Sequence, residues 1–190
     1  MPVFGPTRAA LAAAAARGAQ ILPSLRLVLT AEALTAPPPP CAVELNAELE
    51  VLCAAAQELA ARRAGWLYFC PAQSPLAVRL PRRLLQSTVL TFLRGVLRSR
   101  GQGVVRVVSQ PGAAVIVLQG GAPRMPGDLP ALLHRCGPYV TADDGGAAAV
   151  RLALSPTLPL REPPMLAELV QDRYSAVRVY LDGYCVEDVP

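Results

Sequence analysis

The chain contains no lysine: all 18 of its basic residues are arginine. That excludes a Walker-type phosphate site, which needs a lysine ammonium on the terminal phosphates. Histidine is almost as scarce, with His134 the only one in 190 residues. The five cysteines (Cys41, Cys53, Cys70, Cys136 and Cys185) include no C-x-x-C pair, so there is no zinc-ligand set and no metal site is expected. An odd number of unpaired-looking cysteines reads as reduced, mostly buried thiols in a cytoplasmic protein. Aromatic residues are only 5% of the chain, too few to stack on single-stranded nucleic acid. The net charge of +4 is modest, and the doublets Arg62-Arg63 and Arg82-Arg83 belong to helix ends rather than to a basic stripe. Nucleic acid is therefore not an expected partner. Long apolar runs are missing as well. Arg17 and Arg26 break the alanine-rich N-terminus, which reads as a soluble helix and neither a signal peptide nor a membrane span.

Catalytic constellations are equally sparse. Asp143-Asp144 are sequence neighbours whose side chains diverge, with no second carboxylate cluster beside them. His134 and Cys136 are two apart and diverge on a helix, which argues against a thiol dyad. Ser24, Ser99 and Ser175 have no evident base.

What is present is a core. Hydrophobic residues make up 53% of the chain, enough for one domain and an appendage. Residues 7–35 read as helix in one or two pieces, with Pro23 kinking it or opening a second helix. Leu22, Leu25, Val28 or Leu29, and Leu34 form its apolar stripe. Pro37–Pro40 end it in a stiff extended linker. Residues 46–64 form an amphipathic helix with Asn46 as its expected N-cap. Its buried face is Leu45, Leu49, Leu52, Ala56, Leu59 and Arg63. Trp66–Cys70 and Leu76–Leu80 read as short strands. Pro81 opens a helix reaching about Ser99, with Leu85, Val89, Phe92, Leu93, Val96 and Leu97 inward. Val104–Ser109 and Ala113–Gln119 are strands joined by a turn at Pro111-Gly112. A short helix at Asp128–Arg135, a strand at Ala147–Leu154, a helix at Met165–Gln171 and a final strand at Ala176–Leu181 complete the series.

Three stretches in this order, ILPSLRLVLTAEAL, CAVELNAELEVL and PRRLLQSTVLTFLRGVLRSRG followed by the hairpin, resemble the catalytic region of bacterial sensor histidine kinases, members of the GHKL superfamily. The first resembles their second dimerisation helix, and the second the entry into the ATPase domain. The resemblance covers roughly residues 20–155. It implies an α+β fold, a two-layer α/β sandwich with a mixed sheet covered on one face by helices, preceded by an N-terminal helix or helical hairpin. It divides the chain into a helical segment (1–36), the proline linker (37–40), the ATPase-like domain (41–155) and a C-terminal helix-and-strand extension (156–190).

The resemblance also fixes where ATP chemistry would sit. The asparagine that holds magnesium through its amide oxygen falls at Gly95, which has no side chain, and Thr91 stands one turn earlier. The adenine-binding aspartate falls at Gln119, followed by a retained glycine, Gly121. The glycine-rich lid, whose helix N-terminus holds phosphates, is reduced to Gly145-Gly146. The phosphoacceptor histidine is absent, since His134 lies in the wrong element. Arg94 and Arg98 line one helix face and are the remaining phosphate-binding candidates. A metal ligand, an adenine acceptor, phosphate-binding glycines and a phosphoacceptor are thus all altered, and phosphoryl transfer loses its electrostatic support. The expected function is a non-catalytic signalling or scaffold module, a pseudokinase of two-component signalling with no cofactor. The alternative is a divergent nucleotide-binding kinase, the one reading in which ATP and magnesium bind. The expected partner is a protein, either a second copy through the N-terminal helices, a kinase or a response regulator.

Overall fold

A computed structural model describes residues 8–60, 66–120, 126–142, 146–155 and 159–184, and no side chains before residue 20. The elements run α1 (Arg8–Thr35), β1 (Cys41–Glu44), α2 (Leu45–Ala60), β2 (Trp66–Cys70), β3 (Ala77–Leu80), α3 (Arg82–Ser99), β4 (Gln102–Gln110), β5 (Ala113–Gly120), α4 (Leu129–Cys136), β6 (Tyr139–Thr141), β7 (Ala147–Ala153), α5 (Leu166–Gln171) and α6 (Ala176–Tyr180). Five strands form one mixed sheet in the order β2-β4-β5-β7-β6, and β1 and β3 form a separate two-stranded sheet. Only β2 and β4 run parallel in the larger sheet. The helix α3 lies in sequence between those two strands, as a parallel pair requires of its connection.

The sheet has one covered face. Val105 and Val107 of β4, Ala114, Ile116 and Leu118 of β5, and Ala148, Val150 and Leu152 of β7 share a core with Leu49, Leu52 and Ala56 of α2 and Leu85, Val89 and Leu93 of α3. The alternate residues Arg106, Val108, Gln119 and Arg151 are exposed. Strand alternation on one side and the four-three spacing of the helices on the other put both apolar sets in one layer. This is the two-layer mixed arrangement expected from the sequence.

Several local assignments differ from expectation, among them the short strand Tyr139–Thr141, left unassigned from sequence. Asn46 does not cap α2. Glu44 does, its carboxylate accepting the N–H groups of Asn46 at 3.1 Å and Ala47 at 2.6 Å, and of Leu76 at 2.9 Å. Asn46 instead ties down the β2–β3 loop, accepting from Ala72 N–H and donating to the Ala72 and Ser74 carbonyls. The stretch from Cys41, left unassigned from sequence, is a strand paired antiparallel with β3. Ala176–Tyr180 is a helix, not a strand. Ser175 caps it by accepting from Arg178 N–H, and Val177, Tyr180 and Leu181, spaced by three and one, turn inward. Val177, Val179 and Leu181, also buried, satisfy a period of two over so short a run, which is why the pattern misleads.

The α1 helix is continuous through Pro23. Leu22, Leu25 and Leu29 are partly buried, whereas Leu27 and Val28 face solvent. It packs on α3, α4 and α6. At the end of α3 the left-handed residue is Arg100 (φ 53°) rather than a glycine, and the Gly101 N–H returns to the Val96 carbonyl. The hairpin turns at Gly112 (φ 68°), as expected. The expected burial of Arg63, the pair Asp143-Asp144, and Cys185 lie outside the described residues.

Candidate functional site

Helix α3 organises the site. Its outer face, from Thr91 to Arg98, meets α1, the start of α4 and the end of α6 around a cavity of about 430 Å³. Thr91, Arg94, Gly95 and Arg98 line it together. So do residues that sequence reasoning did not select: Arg26 and Thr30 from α1, Pro126, Gly127 and Asp128 ahead of α4, and Tyr180 from α6. Arg26 and Thr30 stand one helical turn apart, a spacing that marks them as same-face neighbours, but nothing local shows what that face meets.

Gly95 is buried, and its missing side chain is used. A Cβ built there would stand 2.7 Å from Cγ of Pro126, so the proline ring occupies the space a side chain would need. A hard cation such as magnesium needs oxygen ligands, and this position supplies none. The neighbouring Thr91 offers one hydroxyl. Among the described residues no group of three or more His, Cys, Asp or Glu side chains is placed to hold a metal. The residues present do not fit a magnesium site.

Gln119 is apart from the cavity. It is exposed, and the inward residues of β5 are Ala114, Ile116 and Leu118, so the inward position at this end is Gly120. Gly120 has φ 98°, and a Cβ on it would strike the Gln102 carbonyl oxygen, so no side chain of any kind fits there. Gly146 opens β7, not a helix, so no helix N-terminus follows it to hold phosphates. Gly121 and Gly145 lie outside the described residues.

Arg94 is held by the C-terminal turn. Its Nη1 donates to the carbonyls of Tyr180 at 2.7 Å and Asp182 at 3.0 Å, and its guanidinium lies 5.0 Å from the centre of the Tyr184 ring. Burial, and then the nearby Arg26 charge, pull its pKa below the ordinary arginine value. The Tyr180 hydroxyl, fully buried, shares a hydrogen bond of 2.9 Å with Thr30 of α1. Burial pushes the Tyr180 phenol up, with the hydroxyls of Ser87 and Thr30 acting in the other direction. Among the described residues, the buried Nη1 atom of Arg26 has no hydrogen-bond partner. Arg98 is exposed at the rim.

The remaining candidates are structural in their surroundings. His134 is exposed on α4. Cys136 meets Thr88 at 3.3 Å, and burial pushes its thiol up to about 11. Cys53, deeper, is pushed up to about 12. Thiols so raised stay protonated and unreactive near neutrality.

No protein-family model matches the chain, and no curated protein matches it. Solved structures do. The histidine kinase AdeS of Acinetobacter baumannii aligns over 80% of this chain and 87% of its own, with a TM-score of 0.54 at 13% identity. Full-length ShkA in complex with AMPPNP aligns over 82% of this chain and 41% of its own, with a TM-score of 0.53 at 12% identity. The nucleotide-free catalytic domain of the histidine kinase ThkA aligns over 60% of this chain and 97% of its own, with a TM-score of 0.51 at 10% identity. Among the described residues, no helix is long and apolar enough to cross a membrane. The fold of this chain is that of the histidine-kinase-type, or GHKL, ATPase domain.

Proposed function

We propose that this chain is a histidine-kinase-like domain that has given up phosphoryl transfer and serves two-component signalling as a non-catalytic interaction module. The observation that carries this reading is the seating of Pro126 against Gly95. The position that the resemblance assigns to the magnesium-holding asparagine has no side-chain oxygen, and the Pro126 ring takes the space a side chain there would need. The outward Gln119 and the strand after Gly146 support the same reading. Without a metal to bridge the phosphates, charge developing in the transition state has no stabilising partner.

The working contacts would then be with proteins. Ile21, Leu27 and Val28 leave apolar surface on α1 that suits a second copy, a kinase or a response regulator. The competing reading, a divergent nucleotide-binding kinase, draws on the cavity itself, with Thr91, Arg94 and Arg98 around it. Calorimetric titration with ATP, with and without magnesium, separates the two when paired with a turnover assay. The expected result is no magnesium-dependent binding and no hydrolysis. Saturable binding that requires magnesium, accompanied by turnover, refutes the non-catalytic reading.

A further inference from the structure

We propose that the open face of the five-stranded sheet is a docking surface for another protein, which lays an acidic amphipathic helix across it. This surface is separate from the apolar side of α1, and it needs no nucleotide, so it stands whether or not the chain hydrolyses ATP.

The first ground is the character of the face. A largely antiparallel sheet covered on one side ordinarily turns polar residues to the other. Here Leu67 and Phe69 of β2 pack against the core, so Trp66 and Tyr68 point the other way, and they are 61% and 51% exposed. At the opposite edge, Val140 of β6 is 69% exposed. Between the edges, Val104 stands in register with Tyr68, and Val117 and Ala149 share one row with Val140. Apolar side chains therefore recur from one edge strand to the other, on a surface that no other described element covers. Apolar surface of that breadth marks contact with another molecule.

The second ground is charge. The five strands contain no aspartate or glutamate. Their charged residues are Arg106 on β4 and Arg151 on β7, both exposed, on the two strands that flank β5. Neither arginine forms a salt bridge among the described residues. A second copy laid on this face would bring the same two arginines and no carboxylate, so like charges would lose water with no counter-charge. A partner with carboxylates beside its apolar residues supplies that counter-charge, and guanidinium groups take carboxylates in pairs of hydrogen bonds.

The third ground is shape. In the row Val117, Ala149, Val140, the small residue lies on the middle strand. The strands on either side of β7 are about 9.6 Å apart, from a spacing of about 4.8 Å between neighbours. A helix is about 10 Å across, so one helix seats over Ala149 with a valine on each side. Helices already cover the other face of this sheet, and a helix here completes a third layer.

The test uses Trp66, the single tryptophan of the chain, as its reporter. The full chain is titrated with a synthetic amphipathic helix of about 18 residues, built of leucine, alanine and glutamate with the leucines three and four apart. The emission of Trp66 should shift to the blue and saturate, with a Kd of about 100 μM or tighter. Reversing both Arg106→Glu and Arg151→Glu should weaken binding by about tenfold or more, and should let a peptide with lysine in place of glutamate bind instead. Arg135→Glu, an exposed change of the same charge on α4, should leave the Kd unchanged. The lysine peptide and a scrambled glutamate peptide should fail on the unaltered chain, a comparison that needs no variant to fold. No saturable shift up to about 1 mM overturns the proposal, as does equal binding of either control peptide or binding that survives both reversals. Self-association that Tyr68→Glu abolishes and Val28→Glu does not also overturns it, because a second copy would then cover the face.

Discussion

Glu48 and Arg82 form the one close ion pair among the described residues, at 2.6 Å, with Glu48 1% and Arg82 16% exposed. Arg82 Nε reaches both carboxylate oxygens, Gln86 donates to Oε1, and Arg82 Nη2 also holds the Glu162 carbonyl. The carboxylate raises the Arg82 pKa, chiefly through these hydrogen bonds. Replacing Glu48 by Ala strands a partly buried guanidinium, and we expect a loss of about 3 kcal/mol in urea unfolding, the low end of the range because Arg82 keeps a solvent edge. Glu48→Gln should cost less. At Gly95, alanine is the better helix former by about 1 kcal/mol, yet its Cβ meets Pro126. We expect Gly95→Ala to lose about 1–3 kcal/mol, and Pro126→Gly in the same chain to restore most of it. The buried thiols set a pH limit. Burial pushes the Cys53 thiol up to about 12 and the Cys136 thiol up to about 11, from an ordinary value of 9.0. The folded state then holds more protons than the unfolded state, so stability is intact below pH 9 and falls as pH rises from about 9 toward 12. The urea midpoint should drop across pH 9–11, and less so in a Cys53→Ala, Cys136→Ala double variant.

At the level of elements, α6 is the joint of the site. It turns Val177, Val179, Tyr180 and Leu181 inward and offers the Tyr180 carbonyl to Arg94. Tyr180→Phe removes the hydrogen bond to Thr30 and leaves that hydroxyl buried, so we expect a loss of about 1 kcal/mol, read by thermal or urea unfolding. Its hydrogen-bonding logic was half legible: Ser175 is an ordinary N-cap residue, but apolar alternation over AVRVYL outweighed it. Helices α2 and α3 and the β4–β5 hairpin were legible because each carries its period over several turns or an explicit turn at Pro111-Gly112. The strand at Cys41 was not, since four residues with intermediate ends carry too little pattern to stand out. Cap identity was also missed at α2, where Glu44 and Asn46 both have suitable side chains. The reach of Glu44 to Leu76 across 32 positions decides between them.

For the whole molecule, the helix α1 is the element with the most to gain from a partner. Val28 is 60% exposed on it. If α1 pairs with a second copy, sedimentation should show a mass that rises with concentration, and Val28→Glu should hold the chain monomeric. An unchanging monomer mass in the unaltered chain would redirect the search to heterologous partners.

The sequence by itself determined most of the helices, the β4–β5 hairpin and the order that matches the kinase-like fold, because periodicity and breakers are local properties. The tertiary structure decided the rest. It placed Gln119 on the outer face of the sheet, since the inward set of β5 is fixed by what packs on it and a one-residue difference reverses the face. It filled the space beside Gly95 with Pro126 and tied Arg94 to the carbonyls of a segment 86 residues away. It also brought Arg26 from α1 to the same cavity as Arg98. Each of these is a contact between segments distant in sequence, and a chain's local pattern records which face is apolar without recording what that face will meet.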